Sequence, residues 1–545
     1  MVDRPSNLGD FYLAVETADS RLFAVWGDFS DEISLSFPTP PFPPKSVKRS
    51  FWCGMLSVVR KTTCWCDDSH SLVKGVSLML RHRFSCLCCA TVGTFLTLNC
   101  SAQQPNPVAL SHKGVFYAND FSYLNSPDPQ GTSLGDSMKL LPVGGGDWGT
   151  IDFGGQIRER YHHEQGMGNT TESLTRFEDT HSDFVLSRLR LYTNWKVCDE
   201  VRFFAEAIYA DATDDGGYYL PRPFDENWGD LLNLFVDLKL TDGITTRVGR
   251  QELLYGNQRL VSPLDWANNR RTFDGVNVLY REGDWAIDNF YTYVVPNVNN
   301  DFDDPDGDQE FYGCYATYSG FENFTVDSYY LGYENSLPFD SDTPFASDFD
   351  IHTLGLRFNG TMGSWLWELE GGPQWGDYTG AGAGHSAGFA TGGIGYKTTD
   401  YPWQPTLWCY MDYASGHVPG GDFNGFNQLF PLGHRYFGFI DAVQRSNILA
   451  PNLLLTCKPG PKWNLLMWYW HFESDSEARV PSIPGSSTAA QNSSKDLGDE
   501  LDVLMTYTIC PRSTLGLGWS HFWRGEKILA PVDADFLYTQ WEMNF

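Results

Sequence analysis

Between Gly249 and Val276 the sequence reads GRQELLYGNQRLVSPLDWANNRRTFDGV, with four arginines (Arg250, Arg259, Arg270, Arg271), no lysine and three acids. A guanidinium is planar, stays charged, and offers a fork of donors that grips a carboxylate through two hydrogen bonds, which an ammonium cannot do. Other arginines stand in pairs two residues apart: Arg158 and Arg160 in GGQIRERY, Arg188 and Arg190 in SRLRLY. Arg247, Arg357 and Arg435 complete the set. The whole chain carries 38 Lys+Arg against 68 Asp+Glu, a net charge of −30. Collecting guanidinium groups on so acidic a chain suits two chemistries. One is an attractive track for carboxylate-bearing ligands. The other is ion-pair bracing against Glu159, Glu206, Asp237, Glu252, Asp265 and Asp274, expected to claim about half of the arginines.

The elements that hold these side chains follow from composition and alternation. Charged residues make up 19% and aromatics 15%, and Gly reaches 53. Water-soluble domains carry more charge and fewer aromatics. The acidity excludes nucleic acid as a partner, because phosphate binding needs a basic footprint. From Ile151 onward, alternating segments are separated by turn residues. In HTLGLRFNG, His352, Leu354, Leu356 and Phe358 point one way while Thr353, Gly355, Arg357 and Asn359 point the other. We count about 18 such segments, from 151–161 to 534–545, with short links (242–243, 511–512) alternating with long ones (212–230, 253–273, 415–446, 475–497). DFLYTQWEMNF closes the chain on Phe545, with Met543, Trp541, Thr539 and Leu537 on the same face. The pattern predicts an all-β transmembrane antiparallel β-barrel of about 18 strands, with long extracellular loops and short periplasmic turns, in a bacterial outer membrane. Its partners are then the lipid bilayer and, through the C-terminal strand, the barrel assembly machinery. Such a barrel encloses an aqueous lumen, and a lipid-facing guanidinium is disfavoured by about 2–4 kcal/mol at the midplane, so the strand arginines are assigned to the lumen. Strict parity nevertheless places Arg250 with Val248, so a bulge or strand end is expected there.

Ahead of the barrel the chain divides again. Seven of 12 cysteines lie in the first 100 residues. Met79 begins MLRHRFSCLCCATVGTFLTLNCSAQQ, with a basic start, an apolar run from Phe84 to Leu98 and small residues at 101–102, the pattern of a secretory signal peptide. We therefore expect 1–78 as an upstream start extension, 79–102 as the signal, 103–147 as a periplasmic lead-in and 148–545 as the barrel.

The run VGRQELLYGNQRLVSPLDWANNRRTFDGV, with SRLRLY before it and GHRYFGFID after it, resembles the alginate export porin family, as does HKGVFYANDFSYL in the lead-in. The resemblance spans roughly 110–545. It implies an 18-stranded outer-membrane barrel with an electropositive constriction that passes an anionic polysaccharide. It would place Arg188, Arg190, Arg250, Arg259, Arg271 and Arg435 at or near that constriction, while Arg158, Arg160, Arg270 and Arg357 are lumen candidates on the residue reading alone. Asp265, Asp274 and Asp441 would be their acidic partners or selectivity modulators. The alternative is a general or small-anion porin whose arginines only brace the wall.

Other motifs carry less. GHSAG at 384–388 matches a nucleophile elbow at Ser386 but lacks a strand–turn–helix setting, so no enzyme is expected. The acidic run at 301–310 offers oxygen ligands for Ca²⁺ without EF-hand spacing and reads first as a solvated loop; no other cofactor is implied. His162-His163-Glu164 reads as a loop end. Trp365, Trp367, Trp468, Trp470 and Trp519 read as an interfacial girdle, while Trp228 and Trp266 sit in long loops where they could stack on sugar rings.

Overall fold

The structure is a computed structural model that describes residues 106–126, 133–214, 216–336, 348–378, 382–418, 421–480 and 492–545. The expected extension (1–78) and signal (79–102) lie outside the described residues. A two-residue strand β1 (Leu141–Pro142) pairs with the first long strand. The wall consists of β2 (Thr150–Gln165), β3 (His181–Lys196), β4 (Val201–Thr213), β5 (Asn227–Thr241), β6 (Ile244–Gln251), β7 (Thr272–Glu282), β8 (Trp285–Val295), β9 (Gln309–Tyr318), β10 (Phe324–Asn335), β11 (Phe349–Met362), β12 (Trp365–Tyr378), β13 (Ala383–Lys397), β14 (Thr406–Ala414), β15 (Ile448–Gly460), β16 (Trp463–Glu473), β17 (Asp496–Cys510), β18 (Ser513–Arg524) and β19 (Ala534–Asn544). Each strand pairs antiparallel with its sequence neighbour, and β19 returns to β2 with Thr539 opposite Tyr161, so the sheet closes as an 18-strand barrel. The segments expected from alternation coincide with β2–β19 to within a few residues.

Period-two burial holds along the wall. In β3, Arg188, Arg190 and Tyr192 are buried inward while Leu189 and Leu191 stand exposed on the outer face. Trp365 and Trp519 also face outward. Links at one end are short. Two of them place glycine (Gly283, φ +57°; Gly363, φ +63°) at the first central position, the conformation of a tight II′ hairpin that favours glycine. The opposite end carries the long connections, which makes it the extracellular end.

The lumen differs from a uniformly polar tube. At the external ends of the strands, Phe273, Phe311, Ile351, Trp470, Phe472, Phe522 and Phe536 turn inward and pack against Phe430 and Phe437 of the 415–447 loop and Leu260 and Val261 of the 252–271 loop. Burying each such side chain contributes about 1.5–3 kcal/mol, so the inner wall is apolar where inward-folded loops cover it. Two tryptophans expected in the girdle, Trp468 and Trp470, belong to this interior: both are buried on the inner face of β16 and stacked on each other. The residues 162–164 are not a loop end but lie within β2, His162 and Glu164 buried inward and His163 outward against Asp183. Glu159 likewise faces outward and accepts from Ser187, leaving the lumen arginines to other acids.

Candidate functional site: the barrel lumen

The strand arginines hold the loop between β6 and β7. Arg158 donates to the carbonyls of Asp265 (2.7 Å) and Ala267 (2.6 Å). Arg188 donates to the Asp265 carbonyl (3.1 Å), its carboxylate (2.9 Å) and Gln156 (2.7 Å). Arg160 donates to the Trp266 carbonyl (2.9 Å), with its guanidinium 3.7 Å from the centre of that indole. Arg270, from the same loop, binds the Asp265 carboxylate, Glu252 (2.5 Å) and the Gly114 carbonyl (2.8 Å). Burial opposes ionisation of Asp265, but Arg270, Arg188 and Arg158 hold its carboxyl well below the usual range. Arg190 pairs with Glu206 (2.7 Å) and lies 3.9 Å over Phe116 of the lead-in.

Across the lumen, Arg259 binds Glu368 (2.8 Å) and Glu370 (2.9 Å), and Arg357 shares Glu368 (3.0 Å) while binding Asp327 (2.7 Å). Arg250 and Asp274 form their own pair (3.0 Å) on the opposite parity from the inward Arg247 and Gln251. That pair also engages Asp230 and the Asp303 carbonyl at the external rim, away from the lumen arginines. Arg271 reaches the carbonyls of Ser262 (3.3 Å) and Pro431 (3.4 Å).

The second inward loop, 415–447, interlocks with the first. The Trp266 indole and His434 imidazole stack with centroids 3.5 Å apart and planes at 2°. Phe430 and Leu432 amides donate to Leu260 (2.8 Å) and Gln258 (2.9 Å) carbonyls, and the Tyr436 hydroxyl to Asn257 (2.6 Å). Burial keeps the His434 pKa below its usual value, and its Nδ1 lies 3.0 Å from Asp441, whose carbonyl accepts from Arg176. The wall grips this loop from β17: the Ile440 amide donates to Glu500 (2.8 Å) and the Phe439 amide to Asp502 (3.2 Å). Gly438 sits at φ +85° directly over the Glu500 carboxylate, where a Cβ would collide.

One arginine differs from the rest. Arg435 is exposed, packs over the Tyr436 ring at 5.5 Å, and among the described residues its guanidinium makes neither a hydrogen bond nor an ion pair. It borders a cavity of about 500 Å³ lined also by Arg158, Arg259, Trp266, Trp468 and Tyr538, with Asp265, Glu368, Asp412 and Glu542 as its acids. The chamber therefore combines a free guanidinium, aromatic faces and hydrogen-bonding carboxylates.

Several residues that shape the lumen escaped the sequence reading. Glu368 and Glu370 stand two apart in WLWELEGG, the same signal that revealed the arginine pairs. Arg445, buried against Asp412 (3.1 Å), Arg176 and the Glu500–Asp502 pair had no local signal, because their partners come from distant strands and loops. In the 301–310 run, Asp301 accepts from the Phe302 amide and Asp303 from the Val298 amide, and among the described residues no three His, Cys, Asp or Glu side chains converge on a metal position. Ser386 lies within β13 on the outward parity, while His385 turns inward to Gln374.

A closed antiparallel barrel with an apolar outer face, short turns at one end and long loops folded inward from the other is an outer-membrane channel of the bacterial porin type. The Alginate export family profile matches residues 150–538, and the chain belongs to that family. Among curated proteins none matches. Solved structures similar in fold include the outer membrane protein OpdK of Pseudomonas aeruginosa, with TM-score 0.51, 13% identity, and coverage of 72% of this chain and 99% of that one. The same protein with vanillate gives TM-score 0.50 at 13% identity, covering 72% and 98% respectively.

Proposed function

We propose that this channel passes a uronate-bearing polysaccharide such as alginate, or its oligomers, with Arg435 as the carboxylate contact and Arg158 and Arg259 lining the chamber beside it. The observation that carries the reading is the exposed Arg435 guanidinium at the rim of the chamber, without a hydrogen-bond or ion-pair partner among the described residues and beside aromatic faces that suit sugar rings. Family membership favours the same class of cargo. A passive pore imposes no direction, so the gradient decides whether the polymer leaves or enters. Calcium at the 301–310 rim is a secondary proposal, in which it would screen these acids from an anionic polymer. The barrel assembly machinery is the proposed partner of the last strand.

A second reading is a small-anion porin. It is favoured by the partners of Arg158, Arg160, Arg188, Arg190, Arg259, Arg270 and Arg357, all committed to carbonyls or carboxylates, which makes them braces. The structurally similar OpdK was solved with vanillate, a small carboxylate. Planar-bilayer recording separates the two. Reversal potentials in a KCl gradient should show anion preference, oligouronates should block the current, and Arg435→Glu should weaken both. Anion preference without uronate block would leave the small-anion reading; no preference at all would remove both.

A further inference from the structure

The lead-in enters the lumen from the periplasmic end, and its contacts are those of a docked segment. Phe116 and Phe121 pack on Tyr192, Phe204 and Phe235 of β3, β4 and β5, forming an apolar cluster separate from the external core. The wall arginines cover its rings: Arg190 lies 3.9 Å over Phe116 and Arg247 4.2 Å over Tyr117. Polar contacts join it to the 252–271 loop. The Tyr117 hydroxyl donates to the Glu252 carbonyl (2.7 Å), and Arg270 reaches the Gly114 carbonyl (2.8 Å).

Its far end is tied to the periplasmic rim. Arg512, in the β17–β18 turn, pairs with Asp136 (2.5 Å), and Lys139 donates to the Tyr192 hydroxyl (3.0 Å). Among the described residues the lead-in's backbone adds two ladder rungs with the wall, Leu141 to Ile151 and Pro142 to Thr150, and Arg202 of β4 donates to the Tyr117 carbonyl (2.6 Å). The wall strands behind Phe116 and Tyr117 already satisfy their ladder without it, since β3 pairs with β4 and β4 with β5 along their lengths. The barrel therefore does not need the 106–126 stretch to close.

We infer that residues 106–126 are a removable plug of the periplasmic mouth, seated by Phe116 and Tyr117 on Arg190 and Arg247 and linked through Gly114 and Tyr117 to the 252–271 loop. Release of the plug widens the lumen along β3–β6 and frees Arg270 and Glu252 from their contacts with it, so the constriction loop senses whether the mouth is occupied.

The test is single-channel recording on the full chain. Phe116→Ala with Tyr117→Ala should raise open probability or unit conductance several-fold while the barrel keeps its folded mobility on a gel. Unchanged conductance in a folded double variant would overturn the inference. A second arm does not depend on that variant folding. A Cβ at Gly114 would stand 3.7 Å from a Leu254 methyl, so Gly114→Cys with Leu254→Cys can be bridged by a short, reducible thiol-reactive linker, each single variant serving as control. Bridging should suppress openings and reduction should restore them. Openings that continue at full size through the bridged plug would equally defeat the proposal.

Discussion

Arg270 has all of its guanidinium nitrogens committed, to Glu252, Asp265 and Gly114, and it is almost wholly buried. Truncating it would leave Glu252 without its closest cation and Asp265 with fewer counter-charges inside the barrel. Breaking a buried pair from one side costs about 3–5 kcal/mol, because the surviving charge stays desolvated. Arg270→Ala is thus expected to lower the temperature at which the folded band is lost in detergent, by far more than any surface change. Arg435→Ala is the contrast. Its side chain is exposed and has no ion-pair partner among the described residues, so stability should move by no more than about 0.5 kcal/mol, while the reversal potential in a KCl gradient moves toward zero. If Arg435→Ala unfolds the barrel and Arg270→Ala does not, the division between bracing and exposed arginines is wrong.

At the scale of elements, the strands were legible and the loops were not. Alternation is a local property, and it survives wherever one face meets lipid: Leu354 and Leu356 face out, Thr353 and Arg357 in, as the HTLGLRFNG pattern required. Trp468 and Trp470 were misread because the inner wall near the external end is apolar too, so hydrophobicity no longer separates the faces. The inward course of 252–271 and 415–447 depends on partners far away in sequence, such as Trp266 with His434, and leaves no periodicity to read. The outer loop 296–308 supplies a pH test at this scale. Asp303 docks it onto β5, and burial, reinforced by Asp230 and opposed by the Val298 amide, Asn227 and Arg250, raises its carboxyl to about 6. A carboxyl whose folded pKa is raised stabilises docking fully below its unfolded value, and that contribution is lost as pH rises through the folded one, a change on the order of 2–3 kcal/mol. Amide exchange in 296–308, corrected for intrinsic rate, should therefore be faster near neutral pH than in mild acid. Asp303→Asn should flatten the difference, and an unchanged pH dependence in that variant would assign it to another group.

For the whole molecule, closure rests on one seam between the two ends of the barrel. The sequence suggested it through the alternating DFLYTQWEMNF, whose aromatic end and outward face are visible without a structure. What it could not reveal is that the final residue also touches the lead-in. The Phe545 amide donates to the Gly155 carbonyl (3.0 Å), its carbonyl oxygen accepts in return from the Gly155 amide (3.0 Å), and Lys139 of the lead-in donates to that same oxygen (3.2 Å). Asn544 adds a side-chain bond to Gln156 (3.1 Å). Deleting Phe545 removes the terminal Gly155–Phe545 pair of the β19–β2 seam and one anchor of the lead-in, and leaves the Gly155 amide and carbonyl of β2 unpaired at that end of the edge. The folded yield in the outer membrane should fall several-fold. Phe545→Tyr, which keeps the backbone bonds and the aromatic face, should restore it. Barrels that do close without Phe545 should open more often, because Lys139 has lost a partner. A deletion that changes neither yield nor opening would place the seam's strength elsewhere in β19.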